Sequence, residues 1–271
     1  MILHGKALDG LAIMSVVNRT PDSFFDKGAT YAFDAALAAV DRAVDEGADI
    51  VDIGGVKAGP GDEVDVAEEL RRVVDLVAAV RERHPALVIS VDTWRAEVGE
   101  AVAAAGADLL NDTWGGVDPR LAEVAAKHDL GLVCAHAGRQ RPRTRPHRVG
   151  YDDVVADVVR HVTGEAERAV ALGVRPESIL IDPAHDFGKN TRHSLEISRR
   201  LGELSATGWP LLVAVSNKDF IGETLGRPVD KRGPGTMAVL GVSAWLGATV
   251  FRVHDTAAAR AALDAVQGLL R

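Results

Sequence analysis

Eight short apolar, β-branched runs recur along the chain: Leu11–Val17, Ile50–Ile53, Leu87–Val91, Leu109–Leu110, Leu132–Cys134, Ile179–Ile181, Leu211–Val215 and Val250–Val253. Continuous apolar runs of this length suit strands buried on both faces, as in a parallel sheet. Between most of them apolar residues fall three and four apart. Phe33, Leu37, Val40 and Val44 form one such stripe, Leu70, Val73, Val77 and Val80 another, and Ala259, Leu263, Val266 and Leu270 the last. These spacings predict amphipathic helices. Eight alternations of strand and helix predict an α/β fold, a (β/α)8 TIM barrel; a doubly wound open sheet is the alternative. No Pro/Gly/Ser-rich linker divides residues 1–271, which read as one domain.

A short internal repeat supports this alternation. Gly47-Ala48-Asp49, Gly106-Ala107-Asp108 and Gly247-Ala248-Thr249 each fall at a helix-to-strand junction. Glycine adopts the left-handed conformation of a helix C-terminus at little cost.

The C-terminal ends of the runs hold Asn18, Asp52, Asp92, Asn111, His136, Asp182, Ser216 with Lys218, and Arg252 with His254. A buried polar group without a partner costs roughly 1–3 kcal/mol. A ring of them at one end of a barrel therefore points to a ligand, and in barrel enzymes that end carries the active site. The carboxylates and Asn111 suit a flat ring with several N–H donors, whereas Lys218, Arg252 and His254 suit a phosphate or diphosphate. The ring reads as a binder of an N-heterocycle attached to a phosphorylated group.

Composition removes other classes. Asp and Glu outnumber Lys and Arg by 39 to 31, for a net charge of −8, the opposite of a phosphate-tracking nucleic-acid binder. Cys134 is the single cysteine, which excludes an intrachain disulfide and fits a reducing compartment. No apolar run approaches the roughly 18 residues of a membrane span. Lys6 and Asp9 interrupt the apolar start, which does not read as a signal peptide. A cytoplasmic protein with a small-molecule partner is expected. Gly-x-Gly-x-x-Gly, Walker and His-Glu-x-x-His patterns are absent.

The same residues carry a family resemblance. Asn18-Arg19-Thr20-Pro21-Asp22-Ser23-Phe24 resembles the first-loop motif N-V-T-P-D-S-F of dihydropteroate synthases, and Asp52-Ile53-Gly54-Gly55 with Pro60-Gly61 resembles D-I-G-G-E-S-T-R-P-G. Ser90-Val91-Asp92-Thr93, Asn111-Asp112, Asp182-Pro183 with Phe187-Gly188-Lys189, Ser216 with Lys218 and Ile221-Gly222, and Arg252-Val253-His254-Asp255 follow in the family's order. The resemblance spans essentially the whole chain. It implies a (β/α)8 barrel that joins 6-hydroxymethyl-7,8-dihydropterin diphosphate to p-aminobenzoate in folate synthesis, releasing diphosphate, with Mg²⁺ as cofactor and a homodimer as the assembly. It further implies that Asp92, Asn111, Asp182 and Lys218 hold the pterin, with Phe187 lining the pocket. Asn18, as metal ligand, with Arg252 and His254 would hold the diphosphate and its Mg²⁺, and Lys218, Asp92 and Asp182 would form the catalytic set. For the dimer the chain adds the apolar Ala238, Leu240, Ala244 and Leu246.

The departures cluster on the p-aminobenzoate side. Val56-Lys57-Ala58-Gly59 stands where the family has E-S-T-R, so the Thr that touches p-aminobenzoate becomes Ala58 and the Arg becomes Gly59. A Ser that receives the benzoate carboxylate becomes Asp219, and the Arg before the lysine becomes Asn217. The Met of the fifth strand becomes Ala135, and D-P-G-x-G-F reads Asp182-Pro183-Ala184-His185-Asp186-Phe187. The whole resembles the divergent second-copy homologues of actinobacteria, which are weak or inactive in this reaction. A functional synthase, and a transferase coupling a different nucleophile to a pterin-like diphosphate, are the alternatives.

Three features stay open at this level. Arg139, Arg141, Arg143, Arg145 and Arg148, with Pro142 and Pro146 between them, read as a solvated loop or as an anion-gathering lid. His136 reads as a ligand or donor, or as a satisfied strand-end histidine, and Trp94 and Trp114 as pocket wall or ordinary packing.

Overall fold

The computed structural model describes residues 1–20, 28–138, 140–144 and 149–270. In chain order its elements are β1 (Ile2–Leu3), β2 (Lys6–Ala7), β3 (Ala12–Asn18), α1 (Phe33–Asp45), β4 (Ile50–Gly54), α2 (Val66–Arg83), β5 (Val88–Asp92), α3 (Ala96–Ala105), β6 (Leu109–Asp112) and α4 (Arg120–Lys127). There follow β7 (Gly131–Ala135), α5 (Val154–Leu172), β8 (Ile179–Asp182), α6 (Thr191–Arg199), α7 (Leu201–Ser205), β9 (Leu212–Val213), α8 (Asp219–Leu225), α9 (Gly233–Trp245), β10 (Val250–Val253) and α10 (Thr256–Leu270). Each of the eight apolar runs forms a strand of one parallel sheet, ordered β8-β7-β6-β5-β4-β3-β10-β9. A parallel bridge between Ile181 and Leu211, with the Ile181 amide donating to the Pro210 carbonyl at 2.9 Å, brings β8 onto β9. The sheet is therefore a (β/α)8 barrel and not an open sheet.

Side chains alternate along each strand, so two separate cores form. Ala12, Met14, Ile50, Val88, Leu109, Val133, Leu180, Leu212, Ala214 and Val250 pack with Leu3 as one cluster, the filling of the barrel. The intervening residues, such as Ile13, Val51, Ile89, Leu110 and Phe251, pack against the helices. The predicted helical stripes are on that side, with Val40, Val73, Val77, Val80, Ala259 and Leu263 all buried.

Two features lie outside the sequence-based expectation: the connections from β8 to β9 and from β9 to β10 each carry two helices, and the chain opens with an extra hairpin. β1 and β2 form a tight antiparallel hairpin, turning through His4 at φ 47° and Gly5 at φ 78°. Two-residue strands carry no periodicity to detect. The hairpin inserts Leu3, fully buried, beneath the barrel filling, and the Ser178 hydroxyl holds it by donating to the Ile2 carbonyl at 2.7 Å.

The internal repeat has a physical meaning at this same end. Gly47, Gly106 and Gly247 all adopt positive φ, at 92°, 105° and 100°. In the first two copies the Asp ties strand to helix. Asp49 accepts from the Ile13 amide at 2.8 Å and from Arg260 at 2.5 Å, while Arg260 also donates to the Gly47 carbonyl. Asp108 accepts from the Ile89 amide at 2.8 Å and from Arg81 at 2.5 Å, while Arg81 also donates to the Gly106 carbonyl. Thr249, in the third copy, has no carboxylate with which to do this.

Of the apolar residues expected to serve an assembly, Leu240 and Ala244 face the core and Ala238 is exposed. The solvent face of α9 is formed instead by Ala238, Val242 and Trp245, spaced four and three apart, with Val242 55% and Trp245 63% exposed. Among the described residues no helix is long and apolar enough to cross a membrane.

Candidate active site

Strand parity decides which residues face the barrel axis at the C-terminal end. Counting two residues on from the barrel-filling positions gives Asn18, Asp52, Gly54, Ser90, Asp92, Asn111, Ala135, Asp182 and Arg252. The strand-end ring read from the sequence is thus assembled, with one correction. β7 presents Ala135 inward, so His136 points outward to α5, where its Nε2 lies 2.9 Å from Asp157. Burial, with Lys189 nearby, pushes the His136 imidazole down to about 4, and it is a neutral strand-end histidine of the outer layer.

Arg252 is the centre of the polar group. Its Nε donates to Asp52 at 2.6 Å and its Nη2 to Asp92 at 3.0 Å, so one guanidinium from β10 links two strands across the barrel. Asp52 is fully buried and also accepts from Ser90 at 2.6 Å and from Asn111 Nδ2 at 3.1 Å. That last bond fixes the orientation of the amide, and it leaves Asn111 Oδ1 buried without a partner. Asp92 also accepts from Thr113 at 2.9 Å. Burial raises the Asp92 carboxyl to about 7, with Asp52 adding to the effect and Arg252 opposing it.

Gly54 sits between Asn18 and Asp92 in the strand register. A Cβ at Gly54 would come within 2.9 Å of Asn18 Oδ1. Glycine here keeps the space beside that oxygen open.

The opposite wall is built by the turn after β8 and the start of α8. Asp182 is buried, which raises its carboxyl, and it accepts from the Ala184 amide at 2.7 Å. Lys218 donates to the His185 carbonyl and lies 4.8 Å from the Phe187 ring centroid. Burial lowers the Lys218 ammonium, while Asp182 and Asp186 hold it up. Phe187 in turn meets Trp114 edge-on at 5.1 Å, which makes Trp114 part of this wall, whereas Trp94 stacks under Arg95. His254 is held through Nδ1 at 3.0 Å from the Ser216 hydroxyl.

Two contributors carried no role in the sequence-based reading. Lys189 is buried and donates to the carbonyls of His136, Phe187 and Ala184 at 2.6, 2.9 and 3.1 Å, knitting the turn after β8 to β7. Arg19 is buried and donates to the carbonyls of Tyr31 and Arg72, shaping the first loop from outside the barrel. Both lie inside the quoted motifs, so the motifs marked them without saying what they do.

The altered positions are also placed. Ala58 and Gly59 lie in the loop after β4, half-buried. The Gly59 carbonyl accepts from Arg143 Nε at 3.3 Å, and Arg143 also donates to the Asp62 carbonyl. Arg143, which follows β7, thus reaches across to the loop after β4. Asp219 lies at the start of α8 and is paired with Arg232 at 2.9 Å, while Arg232 also donates to the Asn217 carbonyl at 2.8 Å. Pro21, Asp22, Ser23 and Phe24 of the first-loop motif, and Arg139, Arg145, Pro146 and Arg148, lie outside the described residues.

Comparison with known proteins agrees with this geometry. The family described as pterin binding enzyme matches residues 14–254. The inactive dihydropteroate synthase 2 of Mycobacterium tuberculosis is 56% identical over 265 residues, covering 96% of this chain and 83% of that one. The crystal structure of Yersinia pestis dihydropteroate synthase in a sulfonamide drug complex superposes with a TM-score of 0.94 at 36% identity, covering 100% and 98% of the two chains. Xanthomonas albilineans dihydropteroate synthase in complex with 7,8-dihydropteroate superposes at 0.85 and 37% identity, covering 97% and 95%.

Proposed function

The chain belongs to the pterin-binding enzyme family, and from that premise we propose that it binds a pterin diphosphate at the barrel mouth while performing the dihydropteroate synthase condensation weakly or not at all. The observation that carries the binding half is Asn111 Oδ1. It is a buried acceptor of fixed orientation, flanked by Asp52 and without a donor, and a pterin edge supplies N–H groups of that kind. Asp92, Asp182 and Lys218 complete the pterin site, with Phe187 against the ring face. Asn18, Arg252 and His254 face the diphosphate.

Mg²⁺ fits this arrangement as an ion carried by the diphosphate. Among the described residues there is no group of three or more His, Cys, Asp or Glu to cage a metal. Asn18 Oδ1, beside the space kept by Gly54, is the kind of single oxygen donor that Mg²⁺ accepts when phosphates and waters fill its other positions. The ion would neutralise charge on the departing diphosphate. The carboxylates of Asp92 and Asp182 favour positive charge on the pterin methylene as that bond breaks, and Arg252 and His254 favour the leaving anion.

The weak condensation follows from the second-substrate side. Gly59 supplies no guanidinium for an anion, a charge-assisted contact worth roughly 1.5–3 kcal/mol, or about ten- to a hundredfold in rate. Asp219 contributes less than its charge suggests, because Arg232 pairs with it and it is 52% exposed. A like charge so placed repels a benzoate by about 1 kcal/mol, as in water. That pairing is the specific observation favouring a second reading, a slow but functional synthase.

A homodimer through the exposed Ala238, Val242 and Trp245 face of α9 belongs to the same proposal, as does a cytoplasmic setting, which the single buried Cys134 suits.

The test is calorimetry with 6-hydroxymethyl-7,8-dihydropterin diphosphate, then a condensation assay with p-aminobenzoate. Both use the native chain and an Ala58→Thr, Gly59→Arg, Asp219→Ser variant. The expected result is binding by both proteins and at least about tenfold faster condensation by the variant. Equal condensation with intact binding overturns the second-substrate argument, and no binding by either overturns the function.

A further inference from the structure

We propose that Asp186 is a positioning residue for Lys218. Its carboxylate ties the turn after β8 to the first turn of α8 and so holds the Lys218 ammonium at the barrel mouth. The proposal rests on the reading of Lys218 as part of the ligand site.

The backbone points to Asp186 first. Ala184 and Asp186 both adopt left-handed conformations, at φ 48° and 68°, in a turn where glycine would sit without strain. Each oxygen of the carboxylate at this position is hydrogen-bonded. Asp186 Oδ1 accepts from the Ser194 hydroxyl at 2.9 Å, and the Asp186 amide donates to the same hydroxyl at 3.1 Å, which locks the side chain against α6. Its Oδ2 accepts from the Phe220 amide at 3.2 Å. Lys218 stands at the N-cap of α8 and offers no side-chain cap of its own. Asp186 therefore caps this helix from another loop. Its two neighbours complete the connection: the His185 carbonyl accepts from Lys218 Nζ, and the Phe187 ring lies under it. The His185 ring stacks on Phe220 at 5.4 Å, a further contact between turn and helix.

The charges facing Lys218 come from each surrounding element. Asp182, Asp186 and Lys189 belong to β8 and its turn, Arg252 to β10, and Asp219 to the start of α8. His185 is buried, which pushes its imidazole far down and keeps it neutral. Asp186 is among the groups that keep Lys218 protonated against burial.

Two variants separate cap from charge. Asp186→Asn keeps an acceptor and tolerates the left-handed backbone, whereas Asp186→Gly fits the backbone but loses both cap and charge. The first measurement needs no ligand. In protein labelled with ¹³C-lysine, the Lys218 Cε signal, assigned by its disappearance in Lys218→Arg, is titrated with pH. The midpoint should fall by about one pH unit in both variants. The second is calorimetry with 6-hydroxymethyl-7,8-dihydropterin diphosphate, where affinity should fall about tenfold in Asp186→Gly and less in Asp186→Asn. An unchanged Lys218 midpoint in the folded variants overturns the proposal, as does unchanged affinity in Asp186→Gly when the parent binds. A parent that binds no pterin but whose Lys218 midpoint responds leaves Asp186 as the positioning residue and removes the pterin function instead.

Discussion

Replacing Arg252 with Met tests the polar centre of the barrel directly. The guanidinium donates to Asp52 at 2.6 Å and to Asp92 at 3.0 Å, and the two carboxylates are 0% and 13% exposed. Removing one partner of a buried ion pair costs about 3–5 kcal/mol, because the remaining charge is left without compensation. With an unfolding entropy of roughly 2.1 cal/mol/K per residue, a loss of about 4 kcal/mol lowers Tm by about 7 °C in a chain of 271 residues. The loss should also depend on pH. Burial raises the folded Asp92 carboxyl from an ordinary 3.8 to about 7, so its contribution is full below 3.8 and is lost as pH rises through the raised value. Without Arg252 its folded value rises further. The variant and the parent then differ little through Asp92 below pH 7, and they diverge above it by about 1.4 kcal/mol per pH unit. Calorimetric unfolding at pH 6.0 and 8.5 should show a deficit larger by about 2 kcal/mol, or about 3 °C, at the higher pH. A Tm loss below about 2 °C, or the same loss at both pH values, would refute the reasoning.

Two further outcomes are expected. Leu3→Ala opens a cavity beneath the barrel filling and should cost about 3 kcal/mol, or about 5 °C in Tm, while pterin affinity is unchanged, since the hairpin lies at the end remote from the site. A weakened affinity without loss of Tm would contradict that placement. Val242→Glu with Trp245→Glu puts two charges on the exposed face of α9, and light scattering should change from a dimer in the parent to a monomer. A parent that is monomeric at micromolar concentration removes the homodimer.

The barrel was legible because each strand is an uninterrupted apolar run, and the candidate site was legible because such runs end in a polar residue. Parity refines this. Asn111 follows Leu109 by two and faces inward, but His136 follows Val133 by three and faces α5. Run ends alone do not show the difference; counting from a barrel-filling residue does. The β1–β2 hairpin was invisible because strands of two residues carry no period. The Asp219–Arg232 pair was invisible for another reason. Those residues are 13 apart and are brought together by the packing of α8 against the start of α9, which leaves no local signature. The arginine-rich segment was seen, but that Arg143 reaches the loop after β4 depends on the tertiary path of two loops.

The barrel is not equally strong around its circumference. Seven neighbouring strand pairs are joined by ladders, but β8 meets β9 through a single bridge at Ile181 and Leu211, and β9 has only two residues. This seam divides the site. Asn18, Asp52, Asp92, Asn111 and Arg252 sit on the continuous staves, whereas Asp182 and Lys218 stand on opposite sides of the seam. Above the bridge the two edges are joined mainly by side chains, with Lys218 on the His185 carbonyl, Asp186 on the Phe220 amide and the His185 ring on Phe220. A pterin held by both Asp182 and Lys218, as proposed, would therefore work as a suture. Under the proposed function its binding energy would be drawn partly into closing this weakly paired edge, and amides near Leu211 and Phe220 should exchange more slowly with solvent when the pterin diphosphate is added.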